Sequence, residues 1–514
     1  MKILAVMAVL STVLVGLPAN AAAPVKSDVN GDGIPDLVFS TGARLTYSGD
    51  TALVPNDLGG SVEVVPGGTA PASMINQNSP GIGLGMEADD KFGAALATGD
   101  FNGDGLADVA VGNPTESVNG LASAGAVSIL YGQKTAPYLH TIAGALGTIN
   151  QDTADVPGVM EAGDLFGGSL ATGDFNGDGY ADLGVGSPGE AIETKARAGA
   201  VWIFYGGAAG LTTHNVVAYN QDDPDLAGAA EAGDLMGWAL AAGDVTGDGR
   251  DDLAVLSAGE VINGTTGATG AVHLLHSSAT GLVVQGSSYV SVGNAATEGK
   301  WRSMVIGKFH GGANADLVVQ AERRRGGPAD SGALVAVRGS ATGLTTTVQV
   351  IDQDTADVPG GAEANDFFGG TLAAGDLDGD GIEDLAAATL KENNREGSVF
   401  LFRGSTSGLL THTVTAFGEN TVNAVAQAGE GFGYGLRVLD ITGDGKAELT
   451  VAAPWEDGTG AMFVLTPGLS GDGLAVTLNR KVTRADIGTA SAFGPGTPFA
   501  GSAHVLNDNQ DSVK

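Results

Sequence analysis

Residues 174–182 read Asp-Phe-Asn-Gly-Asp-Gly-Tyr-Ala-Asp, and this stretch is one copy of the pattern that organises the chain. The pattern Asp-x-(Asn/Asp/Thr)-Gly-Asp-Gly-x-x-(Asp/Glu) has six complete copies, and a degenerate copy at 308–316 keeps the frame but has lost most of the acids. Successive copies start 64 to 74 residues apart. The complete copies begin at Asp28, Asp100, Asp174, Asp244, Asp376 and Asp440. Self-similarity at a nearly fixed period marks a repeat architecture, so the chain contains seven copies of one structural unit.

Other landmarks keep phase with the acidic loop. Eight residues before it stands an aromatic or large apolar residue followed by Gly, as in Phe166-Gly167, and after it comes an apolar run, as at 182–186. A Gly-(Ala/Ser)-apolar segment with alternating hydrophobic residues follows, as at 199–204. Short apolar runs bounded by Gly, Pro and Asp are typical of strands rather than helices. Each unit is therefore predicted to hold about four strands.

Seven units of this length and strand content predict an all-β fold, a seven-bladed β-propeller. Radial closure would leave no long exposed sheet edge, which open sheets must otherwise protect. An open β-solenoid is the alternative, but the coils of a solenoid are much shorter than these units.

The first unit lacks the aromatic-Gly landmark, because the corresponding position, Asn20, lies within the N-terminal segment. Near the other end, residues 491–494 read Ser-Ala-Phe-Gly and are not followed by an acidic loop. We expect this C-terminal segment to pair into blade one as its missing strand and to close the ring. The propeller is accordingly assigned to residues 24–505, with a C-terminal tail at 506–514.

The N-terminal segment indicates export. Met1-Lys2 precedes an apolar run to Leu17 and then small residues suited to cleavage, so residues 1–23 are interpreted as a secretory signal peptide. A retained anchor is disfavoured because the run is shorter than the roughly 20 residues that span a bilayer. We therefore expect a secreted, extracellular protein without a membrane span. The chain has no Cys, so no disulfide can stabilise it outside the cell.

Charge excludes one class of partner. The 514 residues contain 59 Asp and Glu against 24 Lys and Arg, which gives a formal net charge of −35. Phosphate would meet like charge on such a surface, so nucleic-acid binding is not expected. The 43% apolar content is too high for a disordered chain. The sequence indicates a folded, acidic, monomeric protein.

The acidic loop has the composition of a calcium site. Oxygen donors at positions one, three, five and nine of a tight turn converge, and Gly at positions four and six permits the backbone to wrap a cation. Carboxylate-rich, all-oxygen coordination favours Ca²⁺ over Mg²⁺ when ligand number is high and the loop is flexible. The predicted metal ligands are Asp28, Asn30, Asp32 and Asp36; Asp100, Asn102, Asp104 and Asp108; Asp174, Asn176, Asp178 and Asp182; Asp244, Thr246, Asp248 and Asp252; Asp376, Asp378, Asp380 and Asp384; and Asp440, Thr442, Asp444 and Glu448.

About six Ca²⁺ sites are thus predicted, and none in the fifth unit. There, Lys308 and Gly312 occupy positions one and five, and only Asp316 at position nine is kept. Thr at position three is a weaker donor, so the fourth and seventh loops are expected to bind less tightly. Ordinary Asx and Gly turns are the alternative interpretation, which six copies in phase make improbable. Bound calcium would stabilise the folded state by mass action, in place of disulfides.

The aromatic-Gly pair, the acidic loop and the Val-Gly-x-Pro segment together resemble the FG-GAP repeats of integrin alpha-subunit N-terminal propellers, which also occur in many bacterial secreted proteins. The resemblance covers roughly residues 28–505, and the fifth unit departs from it. It implies a seven-bladed propeller with calcium in several blades and a role in adhesion or extracellular binding. The implied partner is an extracellular protein or glycan of unknown identity.

The sequence shows no catalytic constellation, so an enzyme is the less favoured interpretation. His273 and His276 lie three apart in a strand pattern, which places their rings on opposite faces and disfavours a zinc site. A calcium-dependent carbohydrate-binding protein or polysaccharide lyase remains the alternative function, with Trp455 as the loop aromatic to test. The run Arg323-Arg324-Arg325 is a basic feature that could meet an acidic partner or simply be solvated.

Overall fold

In the computed structural model, each repeated unit forms one antiparallel sheet, and seven sheets are arranged as the blades of a β-propeller. The structure describes residues 27–41, 59–67, 71–87, 90–261, 268–291, 297–422, 429–458, 460–483, 486 and 510–512. The predicted all-β, seven-bladed fold is confirmed. The predicted signal peptide and the closing segment 491–494 lie outside the described residues.

The blades are numbered in chain order. Blade one contains β1 (Leu37–Thr41), β2 (Ser61–Val65) and β3 (Ser73–Ile75). Blade two contains β4 (Ala95–Gly99), β5 (Asp108–Asn113), β6 (Ala126–Gly132), β7 (Leu139–His140) and β8 (Thr148–Ile149). Blade three contains β9 (Ser169–Gly173), β10 (Asp182–Ser187), β11 (Ala200–Phe204) and β12 (Val217–Tyr219). Blade four contains β13 (Met236–Gly243), β14 (Asp252–Ser257), β16 (Ala271–His276) and β17 (Val283–Ser291), and β15 (Ala268–Thr269) pairs with the next blade.

Blade five contains β18 (Thr297–Gly307), β19 (Asp316–Arg324), β20 (Ala333–Ser340) and β21 (Gly343–Ile351). Blade six contains β22 (Phe368–Gly375), β23 (Asp384–Thr389), β24 (Ser398–Phe402) and β25 (Thr415–Phe417). Blade seven contains β26 (Gly435–Leu439), β27 (Glu448–Ala453), β28 (Ala461–Ser470) and β29 (Gly473–Thr483). The described helices are the single turns α1 (Glu392–Arg395) and α2 (Glu419–Val422), and a 3₁₀ turn spans Glu456–Gly458. Within the described ranges, no helix has the length and hydropathy needed to cross a bilayer.

The hydrophobic core lies between blades. Apolar side chains of each blade pack against those of the next, and the cluster around Trp202 and Phe166, for example, joins blades two and three. The ring closes in the same way, because Leu37 and Phe39 of blade one pack with Met462 and Val464 of blade seven. Packing between the first and last blades therefore contributes to closing the ring.

The two glycine landmarks meet between blades. Phe166 N–H donates to the carbonyl of Ala124 at 3.0 Å, and Gly125 forms a parallel bridge with Phe166. A Cβ on Gly125 would lie 2.3 Å from the Phe166 carbonyl oxygen, so only Gly fits this approach. The same bridge joins Gly199 to Met236 and Gly332 to Phe368. The landmarks recur because each blade must dock on its neighbour.

Chain direction sorts the loops onto two edges of the propeller. The acidic loop connects the first and second strands of a blade, as at 100–107 between β4 and β5. The connection from second to third strand, and the segment leading to the next blade, lie at the opposite end because the strands alternate in direction. We call the edge with the acidic loops the loop rim, and the opposite edge, which carries for example 188–199 and 150–166, the junction rim.

Blade one has three strands among the described residues, and the one C-terminal strand described is β30 (Gln510–Ser512). It pairs with β13 in blade four, and it also contacts β4, β9 and β18, the first strands of blades two, three and five. The described C-terminal strand therefore lies against the first strands of blades two to five.

Candidate cation sites and a groove beside them

The first carboxylate of each acidic loop organises the turn. In blade two, Oδ1 of Asp100 accepts from Gly103 N at 2.7 Å and Asp104 N at 3.2 Å, while its Oδ2 accepts from Gly105 N at 2.9 Å. Asp28, Asp174 and Asp376 accept the same three backbone donors in their own loops. The glycines at positions four and six have positive φ throughout, for example 73° at Gly103 and 86° at Gly105. These angles turn the N–H groups toward the carboxylate, which is why Gly is required.

The ninth carboxylate is buried and joins the loop to the third strand. Oδ2 of Asp108 accepts from Phe101 N, and Oδ1 accepts from Gly132 N at the end of β6, both at 2.9 Å. The same link to the third strand is made by Asp36, Asp182, Asp252, Asp316 and Asp384. A Cβ on Gly132 would lie 2.6 Å from the Ala107 carbonyl oxygen. The residue at the end of the third strand, which is Ser277 in blade four and Gly in the other five blades, is thus a site residue that the sequence motif did not include, although the Gly recurs visibly.

Burial makes a negative charge costly at the ninth position. Burial raises the pKa of Asp108 to about 8, against the lowering effect of hydrogen bonds from Gly132 and Phe101, and the neighbouring Asp100 and Asp104 carboxylates raise it further. Burial likewise raises the pKa of Asp36, Asp182 and Asp384 to about 7. A cation at the loop centre would reverse this balance by favouring the charged form.

The third and fifth positions complete an oxygen-rich cup. Asn102 Oδ1 accepts from Asp104 N at 2.9 Å, and Asp104 Oδ1 accepts from Leu106 N at 2.9 Å, so both side chains are directed by the loop itself. The fifth residue is exposed in all six acidic loops, whereas the ninth is buried. The predicted ligands of each loop are therefore brought together around one turn, open to solvent on one side. Their all-oxygen chemistry suits Ca²⁺.

The acidic loop of blade six carries more carboxylates than any of the other acidic loops. Single carboxylate oxygens of Asp376, Asp378 and Asp384 all lie within 4.8 Å of one another, a spacing that could hold a metal ion. The Arg403 guanidinium pairs with Asp378, and it lies 3.1 Å from Asp380. Asp378 replaces the Asn found at position three in the first three loops. Arg403 offsets the extra negative charge that this replacement brings.

The fifth loop balances its buried carboxylate with a side chain. His310 Nδ1 lies 2.5 Å from Asp316 Oδ2, and both side chains are largely buried. Asp316 still accepts from Gly339 N at 3.0 Å, as its counterparts do. Burial raises the pKa of Asp316, while the hydrogen bond from His310 lowers it. The imidazole thus occupies one oxygen of the carboxylate, and Lys308 and Gly312 supply no acid beside it.

A groove opens on the loop rim between blades three and four. Its volume is about 520 Å³, and its lining includes Asn176 and Asp178 of the third acidic loop. Tyr205, His214 and Thr280 face it from the connections of the two blades. The groove therefore places hydroxyl, imidazole and carboxylate groups beside a candidate cation site. It draws on two units, so periodicity alone did not predict it.

The other candidates from the sequence have structural partners. Arg323 pairs with Glu298 at 3.2 Å and Glu322 at 3.0 Å, and Arg324 pairs with Asp352 at 2.7 Å. The arginine run is therefore largely engaged within blade five. Trp455 is half-buried and packs edge-on against Tyr434, with ring centroids 4.8 Å apart.

The junction rim carries a second repeated polar arrangement, which was not among the landmarks identified in the sequence. In four places a buried Gln donates from Nε2 to a Glu carboxylate 39 residues later. The pairs are Gln77 and Glu116, Gln151 and Glu190, Gln221 and Glu260, and Gln353 and Glu392. Their constant spacing was the signal available in the sequence. Each pair fastens the exit of one blade to a loop of the next.

Comparison with known proteins agrees with this architecture. A family model for the FG-GAP repeat matches residues 92–130, 166–204, 236–275, 368–402 and 432–465. These segments belong to blades two, three, four, six and seven. The five matches begin at the aromatic-Gly landmark and include the acidic loop, two features that meet in these blades.

Several curated proteins are similar over about a third of the chain. The rat phosphatidylinositol-glycan-specific phospholipase D is 33% identical over 172 residues, which cover 32% of this chain and 18% of that protein. The Dictyostelium discoideum phosphatidylinositol-glycan-specific phospholipase D is 35% identical over 186 residues, covering 35% of this chain and 19% of that protein. Integrin alpha-PS5 of Drosophila melanogaster is 31% identical over 173 residues, covering 33% and 15%. The chain thus spans less than a fifth of the length of these relatives.

Among solved structures, the rhamnogalacturonan lyase PL11 of Bacillus licheniformis aligns over 92% of this chain and 65% of its own, with 14% identity and a TM-score of 0.30. A likeness at this level carries no argument about function.

Proposed function

Because the chain is an FG-GAP repeat protein with an integrin-alpha-like propeller, we propose that it is a secreted, calcium-binding module that binds an extracellular partner. The observation that carries the proposal is the hydrogen-bond pattern shared by the six acidic loops. In each loop, backbone N–H donors fix the first and ninth carboxylates around one turn. The apolar segment at 1–23 supports export.

Calcium has a structural role in this proposal. Each loop residue named above supplies oxygen donors, and bound Ca²⁺ would compensate carboxylates that burial otherwise disfavours. Because the ion binds the folded chain, each site adds about 2.7 kcal/mol to the free energy of unfolding when free calcium is 100 times the dissociation constant. The chain has no Cys, so this contribution replaces the disulfides that stabilise many exported proteins.

The chelation experiment tests this role. The thermal midpoint of the purified full chain is measured at pH 7 in millimolar Ca²⁺, after EGTA, and after calcium is restored in excess. We expect EGTA to lower the midpoint by more than about 10 °C, since several sites contribute together, and restored calcium to return it. An unchanged midpoint, or less than one bound Ca²⁺ per chain by elemental analysis, would refute the proposal.

The groove beside the third loop is the proposed place of binding. Asp178 lies in both the acidic loop and the lining of the groove, so a bound ion and the polar groups of Tyr205 and His214 could contact one ligand. Ligands with hydroxyl or carboxylate groups fit this chemistry. Loops mounted on a rigid scaffold are where binding usually resides.

A glycan array and a panel of extracellular matrix proteins, each probed with and without Ca²⁺, test the groove. We expect calcium-dependent retention that Asp178→Asn and His214→Ala both weaken, because each removes a lining group. His412→Ala, at an exposed histidine outside the groove lining, is the matched control. A parallel lyase assay on acidic polysaccharides identifies turnover, and retention unaffected by both groove variants would place binding elsewhere.

A further inference from the structure

We propose that four blade junctions on the junction rim each bind a divalent cation, in sites separate from the acidic loops. Each junction site combines a buried Gln, a buried Asp, a buried or half-buried Glu and a second, exposed Glu. The sets are Gln77, Glu87, Asp90 and Glu116; Gln151, Glu161, Asp164 and Glu190; Gln221, Glu231, Asp234 and Glu260; and Gln353, Glu363, Asp366 and Glu392.

The second junction shows the geometry. Gln151 Nε2 donates to Glu190 Oε2 at 2.6 Å, and Asp164 Oδ2 accepts from Glu161 N at 2.5 Å. The Glu190 loop lies directly on the Asp164 backbone, because Gly189 N donates to the Asp164 carbonyl at 2.9 Å. Gln151, Asp164 and Glu190 are all at least 92% buried. Two carboxylates and an amide are therefore held together in a site with little access to solvent.

The charges in the site act on one another. Burial raises the pKa of Glu190 to about 7 against the hydrogen bond from Gln151, and the Asp164 and Glu161 carboxylates raise it further. Glu116 and Glu260 have the same surroundings, and burial raises the pKa of each to about 7. The carboxylates of these junctions therefore repel one another, although in the third junction Lys195 lowers the pKa of Asp234 against the raising effect of burial.

The Gln side chains point to a ligand. The Oε1 atoms of Gln77, Gln151, Gln221 and Gln353 are buried and have no hydrogen-bond partner among the described residues. Each Gln is at least 97% buried. A buried carbonyl oxygen left without a partner costs about 1–3 kcal/mol, and four equivalent ones are not an accident of one loop. Because Nε2 of the same amide donates to the Glu carboxylate, the unpartnered Oε1 is covalently held beside that contact, and we take it as the amide ligand of the junction site.

The sixth junction, between blades six and seven, shows what such a site accepts. Glu419, Glu430 and Glu456 take the places of the Gln, Asp and Glu, and carboxylate oxygens of the three lie within 4.8 Å of one another. Glu in place of Gln keeps an oxygen and removes the N–H donor, which suits a cation ligand but not a donor to a neighbouring carboxylate. Here Lys481 Nζ lies 2.5 Å from Glu456 Oε1. This junction therefore holds an ammonium group from the chain itself.

The remaining four junctions have the same oxygen groups, and we assign them a cation from solution. Carboxylate and amide oxygens are hard donors, so Ca²⁺ or a trivalent lanthanide is the fitting class of ion. Each ion would join the exit segment of one blade to the second-to-third-strand loop of the next. The junction sites would therefore stabilise contacts between blades, whereas the acidic loops lie within single blades.

Terbium luminescence tests the second junction, because Trp202 is next to it. A Cβ placed on Gly158 would lie 3.4 Å from the Trp202 ring and 3.7 Å from Gln151 Nε2, so ring and amide flank the same glycine. We expect Tb³⁺ bound to the full chain to emit on tryptophan excitation, with a component that Trp202→Phe removes. Gln151→Met and Glu190→Gln should remove the same component, and each should lower the bound Ca²⁺ by about one ion per chain.

The controls separate this site from the loops and from misfolding. Asp178→Asn, in the acidic loop of the same blade, should leave the Trp202-dependent emission unchanged. Gln151→Glu keeps the oxygen and should keep the emission, which identifies loss in Gln151→Met as loss of a ligand. Unchanged emission and calcium count in folded Gln151→Met and Glu190→Gln would overturn the proposal and leave an ordered water in the junction. That outcome would not affect the calcium proposal for the acidic loops.

Discussion

The acidic loop of blade six and its counterpart in blade five have the same frame but balance a buried carboxylate differently. In loop 376–384, Asp384 accepts from Leu377 N and Gly404 N, both at 2.9 Å, and lies among other carboxylates. In loop 308–316, Asp316 keeps the bond from Gly339 N at 3.0 Å, and the imidazole of His310 takes the place of the acid cluster. The strand-joining hydrogen bond is common to both loops, whereas the groups around the other carboxylate oxygen differ.

The difference separates two roles of the ninth carboxylate. Its bond to the third strand is present with or without an acid cluster, so this role belongs to the blade. The acids at positions one, three and five serve a second role, and where they are lost a histidine substitutes locally. Blade five also departs on the junction rim, where Arg324 stands at the position of Glu116 and its counterparts and pairs with Asp352. Blade five thus differs from its neighbours at its acidic loop and at its second-to-third-strand loop, while its exit segment keeps the Gln353 pair with Glu392 of blade six.

The largest expected effect comes from replacing the ninth carboxylate in each loop. Asp384→Asn in excess calcium should lower the free energy of unfolding by about 4 kcal/mol, since about 2.7 comes from the lost ion at 100 times its dissociation constant and about 1 from a weakened hydrogen bond. Asp316→Asn should cost about 1 to 2 kcal/mol, because only the pair with His310 and a hydrogen bond are affected. Denaturant unfolding of both variants checks the values.

Calcium dependence makes this comparison decisive. In EGTA the cost of Asp384→Asn should fall to about 1 kcal/mol or less, because no ion remains to lose, while the cost of Asp316→Asn should not change. Equal costs for Asp384→Asn with and without calcium would mean that its carboxylate serves only the third strand.

A second comparison is between two histidines, one with an acidic partner and one without. His310 contacts Asp316, whereas His273 in β16 is fully buried, and neither of its ring nitrogens has a hydrogen-bond partner among the described residues. Burial lowers the pKa of His273 to about 4 from an ordinary 6.5. Between pH 6.5 and pH 4 the unfolded chain therefore binds a proton at His273 that the folded chain does not. The free energy of unfolding consequently decreases as the pH is lowered through this range.

His273→Leu should remove this acid sensitivity. Between pH 7 and 4.5 the native His273 should cost about 2.5 kcal/mol of the free energy of unfolding, and the variant should lose that much less over the same interval. Unfolding at both pH values in excess calcium gives the difference, with His214→Gln, at an exposed histidine, as control. A variant with the acid sensitivity of the native protein would show that His273 is not the group responsible.

Local patterns made most of the fold and the loops predictable. The acidic loop is set by residues within nine positions, and the Gly125 and Phe166 landmarks recur because every blade docks on the next in the same way. Contacts outside the repeat were not predictable in this manner. His310 substitutes for acids only in one unit, Arg403 reaches its loop from another strand, and the groove at Tyr205 needs two blades. The Gln151 and Glu190 pair was partly predictable. Its constant spacing is visible in the sequence, but that the two residues meet follows only once the strand directions are known.

The smallest expected effect is a gain of one ion by blade five. Lys308→Asp, His310→Asn and Gly312→Asp restore acids and an amide at positions one, three and five. A Cβ on Gly312 would lie 3.0 Å from the His310 ring, which the second change removes, and Gly312 has no positive φ, so Asp fits there. Position six is Ala313, whereas the acidic loops have Gly at positive φ, for example 85° at Gly381. A fourth change, Ala313→Gly, is therefore needed for the carboxylate of position one to receive its backbone donors.

The quadruple variant should bind about one more Ca²⁺ per chain than the native protein and gain about 1 kcal/mol in excess calcium, since a new ion offsets the lost His310 pair. The triple variant without Ala313→Gly is the matched control and should bind no extra ion, because it has the acids without the turn. Elemental analysis and unfolding in calcium measure both. An extra ion in the triple variant would show that side-chain acids alone make the site, whereas none in the quadruple variant would show that the native loops depend on more than these four positions.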